Sequence, residues 1–254
     1  MKKCNNFSAL FLITAGVFSY QTVANDSMFS VMMDDPSSVK KTFEGDVSAG
    51  YEGQNGNTKN TKFTGGFNST WYNSHMAYSM WGNATNKTTD EARTSETYLI
   101  GSRSRYNLTK KDYLFGQLSW LSDRYNGYAG RTLLTAGYGR QILSGSIHSL
   151  RAELGPAGRY DVFQQKGQDT RALLYTGIDY QWKLSDQTSF IQSVSVVAAK
   201  NKRTTVGSET GLNVAITDKC SLKLTYDVTW NETPPASAPI RTDSKTTVQF
   251  SYLL

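Results

Sequence analysis

Apolar and polar residues alternate with a period of two along most of this chain. A period of two places successive side chains on opposite faces of a β-strand. In the clearest segment the apolar set is Leu222, Leu224, Tyr226, Val228 and Trp230, and the polar set is Lys223, Thr225, Asp227 and Thr229. Segments of helical periodicity are absent, so the pattern predicts an all-β protein whose strands have two faces in different surroundings.

Twelve segments of this kind follow one another from about residue 42 onwards. They begin near Phe43, Thr61, Met76, Ser95, Tyr113, Thr132, Ser149, Arg171, Ser189, Ser208, Ser221 and Lys245. Two of them, Tyr113–Ser122 and Leu133–Leu143, do not alternate cleanly. Their composition still predicts strands, but it does not assign their faces.

The connections between the segments alternate between short and longer ones. Short turns are predicted at Tyr72–His75, Leu108–Lys111, Ser144–Ile147, Ser185–Gln187 and Thr217–Cys220. Longer or more polar connections are predicted at Gln54–Thr58, Asn86–Arg93, Arg124–Arg131, Asp161–Asp169, Lys200–Val206 and Asn231–Asp243. Short periplasmic turns, longer extracellular loops and an even number of strands are typical of outer-membrane barrels.

The lengths and charges of the segments favour a transmembrane antiparallel β-barrel over a soluble sandwich or a lipocalin-like barrel. A tilted strand needs roughly nine to eleven residues to cross a bilayer, and most segments are that long. Several carry charges in mid-strand, which a wet lumen tolerates and a dry core does not. The candidate lumen-lining residues are Arg103, Arg105, Arg151, Glu153, Asp179, Lys223 and Asp227.

The N-terminus predicts export. Lys2 and Lys3 precede an apolar stretch that is too short to span a membrane, and a small residue, Ala24, follows. We therefore expect a cleaved signal peptide (1–24), a periplasmic N-terminal leader (25–41) and the barrel (42–254). Cleavage removes two lysines and Cys4, which leaves one cysteine, Cys220, and 25 basic against 21 acidic residues, a net charge of +4.

The last segment places Val248, Phe250, Tyr252 and Leu254 on one face. It is similar to the C-terminal strand by which outer-membrane barrels bind the barrel-assembly machinery. The terminal residue is Leu where Phe or Trp is usual, so weaker binding is expected.

Five stretches resemble the YdiY-like family of salt-induced outer membrane proteins, a domain-of-unknown-function family. They are Phe43–Tyr51, Ser95–Thr109, Asp112–Tyr128, Leu134–Gln141 and Trp230–Pro239. The resemblance covers almost all of the mature chain and implies an outer-membrane barrel of a Gram-negative bacterium. It supplies no catalytic or ligand-binding residues, and the family name suggests a role in salt or osmotic stress.

The longer connections and their borders carry eleven basic and seven acidic residues. The basic ones are Lys87, Arg93, Arg124, Arg131, Lys166, Arg171, Lys200, Lys202, Arg203, Arg241 and Lys245, and the acidic ones are Asp90, Glu91, Asp123, Asp161, Asp169, Glu232 and Asp243. Basic groups form charge-assisted bonds to phosphates, so Lys200, Lys202 and Arg203 are candidate lipopolysaccharide contacts. A solvated loop surface is the alternative.

The sequence predicts neither an enzyme nor a cofactor. His75 and His148 both fall at short turns, away from the rim where outer-membrane lipid-modifying enzymes act, and Cys220 has no histidine nearby. Metal-ligand spacing and glycine-rich phosphate loops are absent, and the mild charge gives no reason to expect nucleic acid. The oligomeric state is not readable from the lipid face.

Two functions follow from a charged lumen. Rings of charge set ion preference in a narrow pore, so a small channel or permeability protein is the first expectation. A small barrel also fills its interior with paired charges and conducts nothing, so a structural or lipopolysaccharide-interacting envelope protein is the second.

Overall fold

The computed structural model describes residues 28, 33–54, 60–89, 92–125, 127–164, 167–199, 204–234 and 239–254. These residues form twelve strands. They are β1 (Phe43–Gln54), β2 (Asn60–Tyr72), β3 (Met76–Thr89), β4 (Ala92–Asn107), β5 (Asp112–Asp123), β6 (Tyr128–Ser144), β7 (His148–Phe163), β8 (Gln168–Lys183), β9 (Thr188–Ala198), β10 (Thr205–Ala215), β11 (Cys220–Asn231) and β12 (Thr242–Leu253).

Each strand pairs antiparallel with its neighbours in sequence, and β1 pairs with β12 to close the barrel. The predicted twelve-stranded barrel is confirmed. Among the described residues, no helix is long and apolar enough to cross a membrane. The predicted signal peptide lies outside the described residues and stays a prediction.

The two rims of the barrel differ less in loop length than the sequence predicts. The turn rim holds the connections 73–75, 108–111, 145–147, 184–187 and 216–219, and the loop rim holds 55–59, 90–91, 124–127, 164–167, 199–204 and 232–241. Strands β4, β6, β8, β10 and β12 begin three or four residues before their predicted starts. Gly127 and Gly167, with φ of 83° and 121°, make the tight reversals that these extensions require.

The barrel is polar inside and apolar outside. Arg, Glu, Asp, Gln, Ser and Thr side chains dominate the buried positions, while large apolar side chains such as Leu134 and Val248 are more than half exposed. This distribution inverts that of a soluble protein and matches a barrel whose outer face meets lipid.

Strands β5 and β6 carry apolar residues on both faces. Tyr113 and Phe115 on β5 and Leu133 on β6 are buried in the lumen, while Leu118 and Leu134 face outwards. This double apolar pattern explains why alternation could not assign the faces of these two strands.

The ladder between β6 and β7 is interrupted in mid-barrel. It passes from Thr135 opposite Ala157 to Tyr138 opposite Leu154. Pro156, which has no N–H to donate, lies inside the interruption. A Cβ on Gly155 would lie 2.1 Å from the carbonyl oxygen of Ala136, so the two backbones approach as closely as only glycine permits.

The seam between β1 and β12 has a short ladder. It joins Asp46–Ala49 to Phe250–Leu253, and the N–H of Leu254 donates to the carbonyl of Gly45 at the turn rim. Towards the loop rim, β1 stays paired with β2 as far as Gln54, and β12 stays paired with β11 back to Thr242. There, each strand pairs on one side only within the described residues.

Candidate functional site

The lumen contains part of the chain's own leader. Of the predicted leader, the structure describes Met28 and residues 33–41, and it places Met28 and Met33 inside the barrel with exposures of 3% and 4%. The sequence predicts a periplasmic segment that precedes the barrel. The structure instead inserts it among lumen side chains.

Met28 is held at its backbone and at its side chain. Its carbonyl oxygen accepts hydrogen bonds from Gln117 Nε2 at 3.1 Å and from Ser119 Oγ at 2.7 Å, both on β5. Its side chain packs in a buried apolar cluster with lumen residues of seven strands: Trp81, Leu99, Tyr113, Phe115, Leu133, Ala157, Leu173, Tyr175 and Val197. The leader therefore covers the inner apolar faces of β5 and β6.

Two arginines, on β4 and β7, hold the backbone of Met33. Arg151 Nη1 on β7 donates to the Met33 carbonyl at 2.7 Å, and Arg105 Nη1 on β4 donates to the same oxygen at 3.4 Å. Next along the leader, Asp35 Oδ1 accepts a hydrogen bond from Asn107 Nδ2 at 2.6 Å. The leader is therefore anchored by charged and amide groups near the turn rim.

Asp34 lies between these anchors, partly buried at the turn rim. Burial and the neighbouring carboxylate of Glu44 raise the pKa of Asp34 to about 6, although Arg151 and Arg105 act in the opposite direction. The carboxyl group of Asp34 therefore gains or loses its charge at a pH near 6.

Glu153 organises the ion-pair network below Met28. It pairs with Arg103 across the lumen, and its carboxylate accepts the hydroxyls of Tyr113 at 2.7 Å and Tyr175 at 3.3 Å. Arg103 Nη1 also donates to Gln117 Oε1 at 2.9 Å. Buried charges of this kind are stabilised by complete pairing, and removing one partner leaves the other uncompensated.

A second buried cluster joins β6 and β7 nearer the loop rim. Asp161 accepts from Arg131 Nε at 2.7 Å and pairs with Arg159 Nε at 3.1 Å. The sequence places Arg131 and Asp161 in outer loops, but the early start of β6 and the length of β7 bring both into the lumen, where their exposures are 3% and 1%. Arg159 Nη1 reaches Thr205 on β10 at 3.1 Å, so this cluster also spans the lumen.

Above Met28 the lumen widens into a cavity of about 450 Å³. Its floor includes Met28, Leu99 and Leu121, and its walls carry hydroxyl and amide side chains. The charged residues that line it are Lys62, Lys87, Asp123, Arg131, Glu209, Asp227, Asp243 and Lys245. Among the described residues, four basic and four acidic groups line the wall, which suits a polar solute or headgroup.

The structure places all seven candidate lumen-lining residues on the inner face. Arg103 and Glu153 pair with each other, Arg151 Nε donates to Asp179 Oδ2 at 2.8 Å, and Lys223 Nζ donates to Glu209 Oε1 at 3.0 Å. Arg105 binds the leader, and half-buried Asp227 lines the cavity beside its ladder neighbours Glu209 and Lys245. Lys200, Lys202 and Arg203 lie outside the described residues.

The histidines and the cysteine lie at the turn rim. His75 Nδ1 is 2.9 Å from the hydroxyl of the adjacent Ser74 in an exposed turn, and His148 Nδ1 is 2.9 Å from Tyr180 Oη. Cys220 opens β11 as a free thiol. In the part of the chain that the structure describes, no cluster of three or more His, Cys, Asp or Glu side chains forms a metal site.

Sequence reasoning missed the leader contacts and their partners Tyr113, Gln117, Ser119 and Tyr175. The available signal was the failed alternation of β5 and β6. Apolar residues on the lumen face of a membrane barrel need a cover, and Met28 of the leader packs on them here.

Comparison with known proteins identifies a family and a fold. A family model described as "Protein of unknown function, DUF481" matches residues 47–253. The uncharacterized protein YdiY of Escherichia coli (strain K12) is 49% identical over 99% of both chains. The NanC porin structure has a TM-score of 0.53 at 7% identity and covers 83% of this chain and 100% of its own. The translocator domain of the autotransporter NalP from Neisseria meningitidis has a TM-score of 0.46 at 13% identity, covering 83% of this chain and 86% of that one.

Proposed function

This chain belongs to the DUF481 family of proteins of unknown function, with the fold of outer-membrane barrels, so its activity must be inferred from its lumen. We propose that it is a narrow outer-membrane channel for small polar solutes, closed at the turn rim by its own leader. The insertion of Met28 and Met33 below an outer cavity supports this proposal most directly.

The chemistry of the lumen fits passage of water-soluble molecules. A lumen wall of paired charges, hydroxyls and amides replaces the hydration of a polar solute. Among the described buried side chains, six are basic and seven are acidic, so no strong selection between anions and cations is expected. Permeation requires the leader to leave, because it occupies the lumen below the cavity.

A structural barrel without flux is the second candidate function. It is favoured by the packing of the turn-rim half, where Arg103, Glu153, Tyr113 and Tyr175 meet in one buried network. Such a network fills the interior of a small barrel and stabilises it without a passage.

Planar-bilayer recording of the purified protein separates the two candidates. We compare the mature chain, a variant that lacks residues 25–35, and a control with the exposed leader residues Lys40 and Lys41 changed to Ala. The channel proposal predicts a closed mature chain and control and steady conductance in the shortened variant. If none of the three proteins conducts at any salt concentration or voltage, the channel proposal is wrong and the structural barrel is supported.

Three narrower proposals accompany the channel. The link to salt or osmotic stress rests on the resemblance alone, and a growth comparison of deletion and parent strains at high salt tests it. Contact of Lys200, Lys202 and Arg203 with lipopolysaccharide phosphates predicts less co-purifying lipopolysaccharide when all three are neutralised. Recognition of the C-terminal strand by the assembly machinery predicts better assembly when Leu254 is changed to Phe.

A further inference from the structure

The seam between β1 and β12 loses its ladder in the half of the barrel near the loop rim. Ladder pairing ends at Ala49 and Phe250, and the two backbones stay close as far as Gly50 and Val248, although β1 continues to Gln54 and β12 begins at Thr242. Among the described residues, each of the remaining pairs of neighbouring strands is joined by a ladder over most of its length. This part of the seam is therefore the weakest line in the wall.

An unpaired strand edge is costly in a membrane. Backbone N–H and C=O groups that face hydrocarbon without partners cost several kcal/mol each, which is why barrels close. A seam that stays unpaired on both strands therefore needs polar partners from somewhere else. Those partners lie inside the barrel or arrive with a molecule that crosses the seam.

The outer cavity borders this seam through β12 and through β2, the other neighbour of β1. Its lining includes Lys62 on β2 and Asp243, Ser244 and Lys245 on β12, the strands that flank β1 and the open edge. The outer surface beside the seam is apolar, with Tyr51 74% and Val248 59% exposed. A polar pocket behind an apolar slot fits an amphiphile whose headgroup lies inside and whose chains lie outside.

The cavity wall carries four basic side chains suited to phosphate, among four acidic ones in the described residues. Lys62 and Lys87 are ladder partners on adjacent strands, and Lys245 lies on the far side of the seam. Arg131 is 3% exposed and lines the same cavity. Its Nε binds Asp161, but its Nη2 has no hydrogen-bond partner among the described residues. Guanidinium and ammonium groups bind phosphate oxygens by charge-assisted hydrogen bonds.

We propose that the β1–β12 seam is a lateral opening through which the phosphate-bearing headgroup of an outer-leaflet lipid enters the cavity. The acyl chains remain in the bilayer and pass between the two strands. The loop rim faces the cell exterior in barrels of this class, which assigns the opening to the outer leaflet. The proposal does not depend on conductance, because it needs neither displacement of the leader nor flow through the turn rim.

Fluorescence quenching in vesicles tests the opening. The protein carries Cys220→Ser and Ser195→Cys, with bimane on the new thiol in the cavity wall. The vesicles are phosphatidylglycerol with either headgroup-nitroxide or chain-end-nitroxide phosphatidylcholine. A second cysteine pair, Tyr51→Cys with Val248→Cys, continues the register of Ala49 and Phe250, and a disulfide or a short bis-maleimide locks it before labelling. Val47→Cys with Tyr252→Cys, already ladder partners, is the matched lock.

The proposal predicts quenching by the headgroup nitroxide in the unlocked protein and in the matched lock. The Tyr51–Val248 lock should abolish it, and the chain-end nitroxide should not quench in any variant. Water-soluble iodide should quench all three proteins equally, which shows that the cavity and fold are intact. Headgroup quenching that is absent from the unlocked protein, or that survives the Tyr51–Val248 lock, overturns the proposal.

Discussion

The two halves of the lumen are built from the same strands but differ in what fills them. Near the turn rim, the ion pair of Arg103 with Glu153 and the inserted residues Met28 and Met33 leave a packed interior. Near the loop rim, the same wall encloses a cavity of about 450 Å³. Barrel geometry alone does not decide whether a twelve-stranded lumen is open, because side chains and leader fill one half only.

The difference between the packed half and the cavity half also decides whether a substitution affects stability or binding. The main charged groups in the packed half are desolvated and paired, as Arg103 is with Glu153, so removing one partner is costly. Groups around the cavity meet solvent on one side. Substitutions in the two halves should therefore have different consequences.

The largest expected effect is that of Glu153→Ala. It leaves Arg103 without its carboxylate and the hydroxyls of Tyr113 and Tyr175 without their acceptor. We expect a loss of about 3–5 kcal/mol in the free energy of unfolding, measured by urea titration in detergent micelles.

Arg124→Ala is the matched control in the outer half. The Arg124 side chain is 60% exposed and pairs with Glu96 at 3.7 Å, so its loss should cost at most about 1 kcal/mol. Equal losses for the two variants would show that the halves do not differ in packing.

A smaller effect is expected at the close approach of β6 and β7. A methyl group on Gly155 would meet the Ala136 carbonyl, whereas one on Gly158 would meet nothing within 4 Å. Gly155→Ala should lower the free energy of unfolding by about 1–3 kcal/mol. Gly158→Ala on the same strand should not lower it, and a loss as large as that of Gly155→Ala would contradict the close approach.

The wall of the barrel was predictable from sequence, and its contents were not. Alternation is a local property, so it identified twelve strands and put Arg103, Glu153 and Asp179 on the polar face. Which charges pair depends on the strand neighbours and depth that closure fixes, as for Arg103 on β4 and Glu153 on β7. No local pattern encodes that distance across the lumen.

The contacts of the leader were not predictable from sequence either. Its carbonyl oxygens, and not a recognisable side-chain motif, accept the bonds from Ser119 and Arg151. Every residue has a carbonyl, so sequence alone does not mark these positions. Arg131 was assigned to a loop because its strand begins earlier than its apolar pattern does.

The smallest effect is a pH dependence of leader docking through Asp34. Its pKa rises from 3.8 to about 6 in the docked leader, so the docked state holds the proton more tightly. Docking is therefore most favourable at low pH and loses this contribution as the pH rises through about 6.

Several charged groups surround Asp34. Glu44 and Asp35 add negative charge, Arg105 and Arg151 add positive charge, and Tyr72 lies close by. The open fraction of the mature chain in planar bilayers should rise with pH by about tenfold, less than the full pKa shift allows, because Asp34 is only partly buried and solvent screens its charge. Asp34→Asn should remove that rise and keep the leader docked, and an unchanged rise would assign the pH dependence to another group.

Thiol accessibility tests the central claim, that the leader fills one half of the lumen and leaves the other open. With Cys220→Ser as background, Ser195→Cys reports on the cavity and Ser119→Cys on the packed half, where Ser119 binds Met28. Labelling by a water-soluble maleimide should be fast at position 195 and slow at position 119, and removal of residues 25–35 should make position 119 fast as well. Equal rates at both positions in the full chain, or continued protection of position 119 without the leader, would contradict the account.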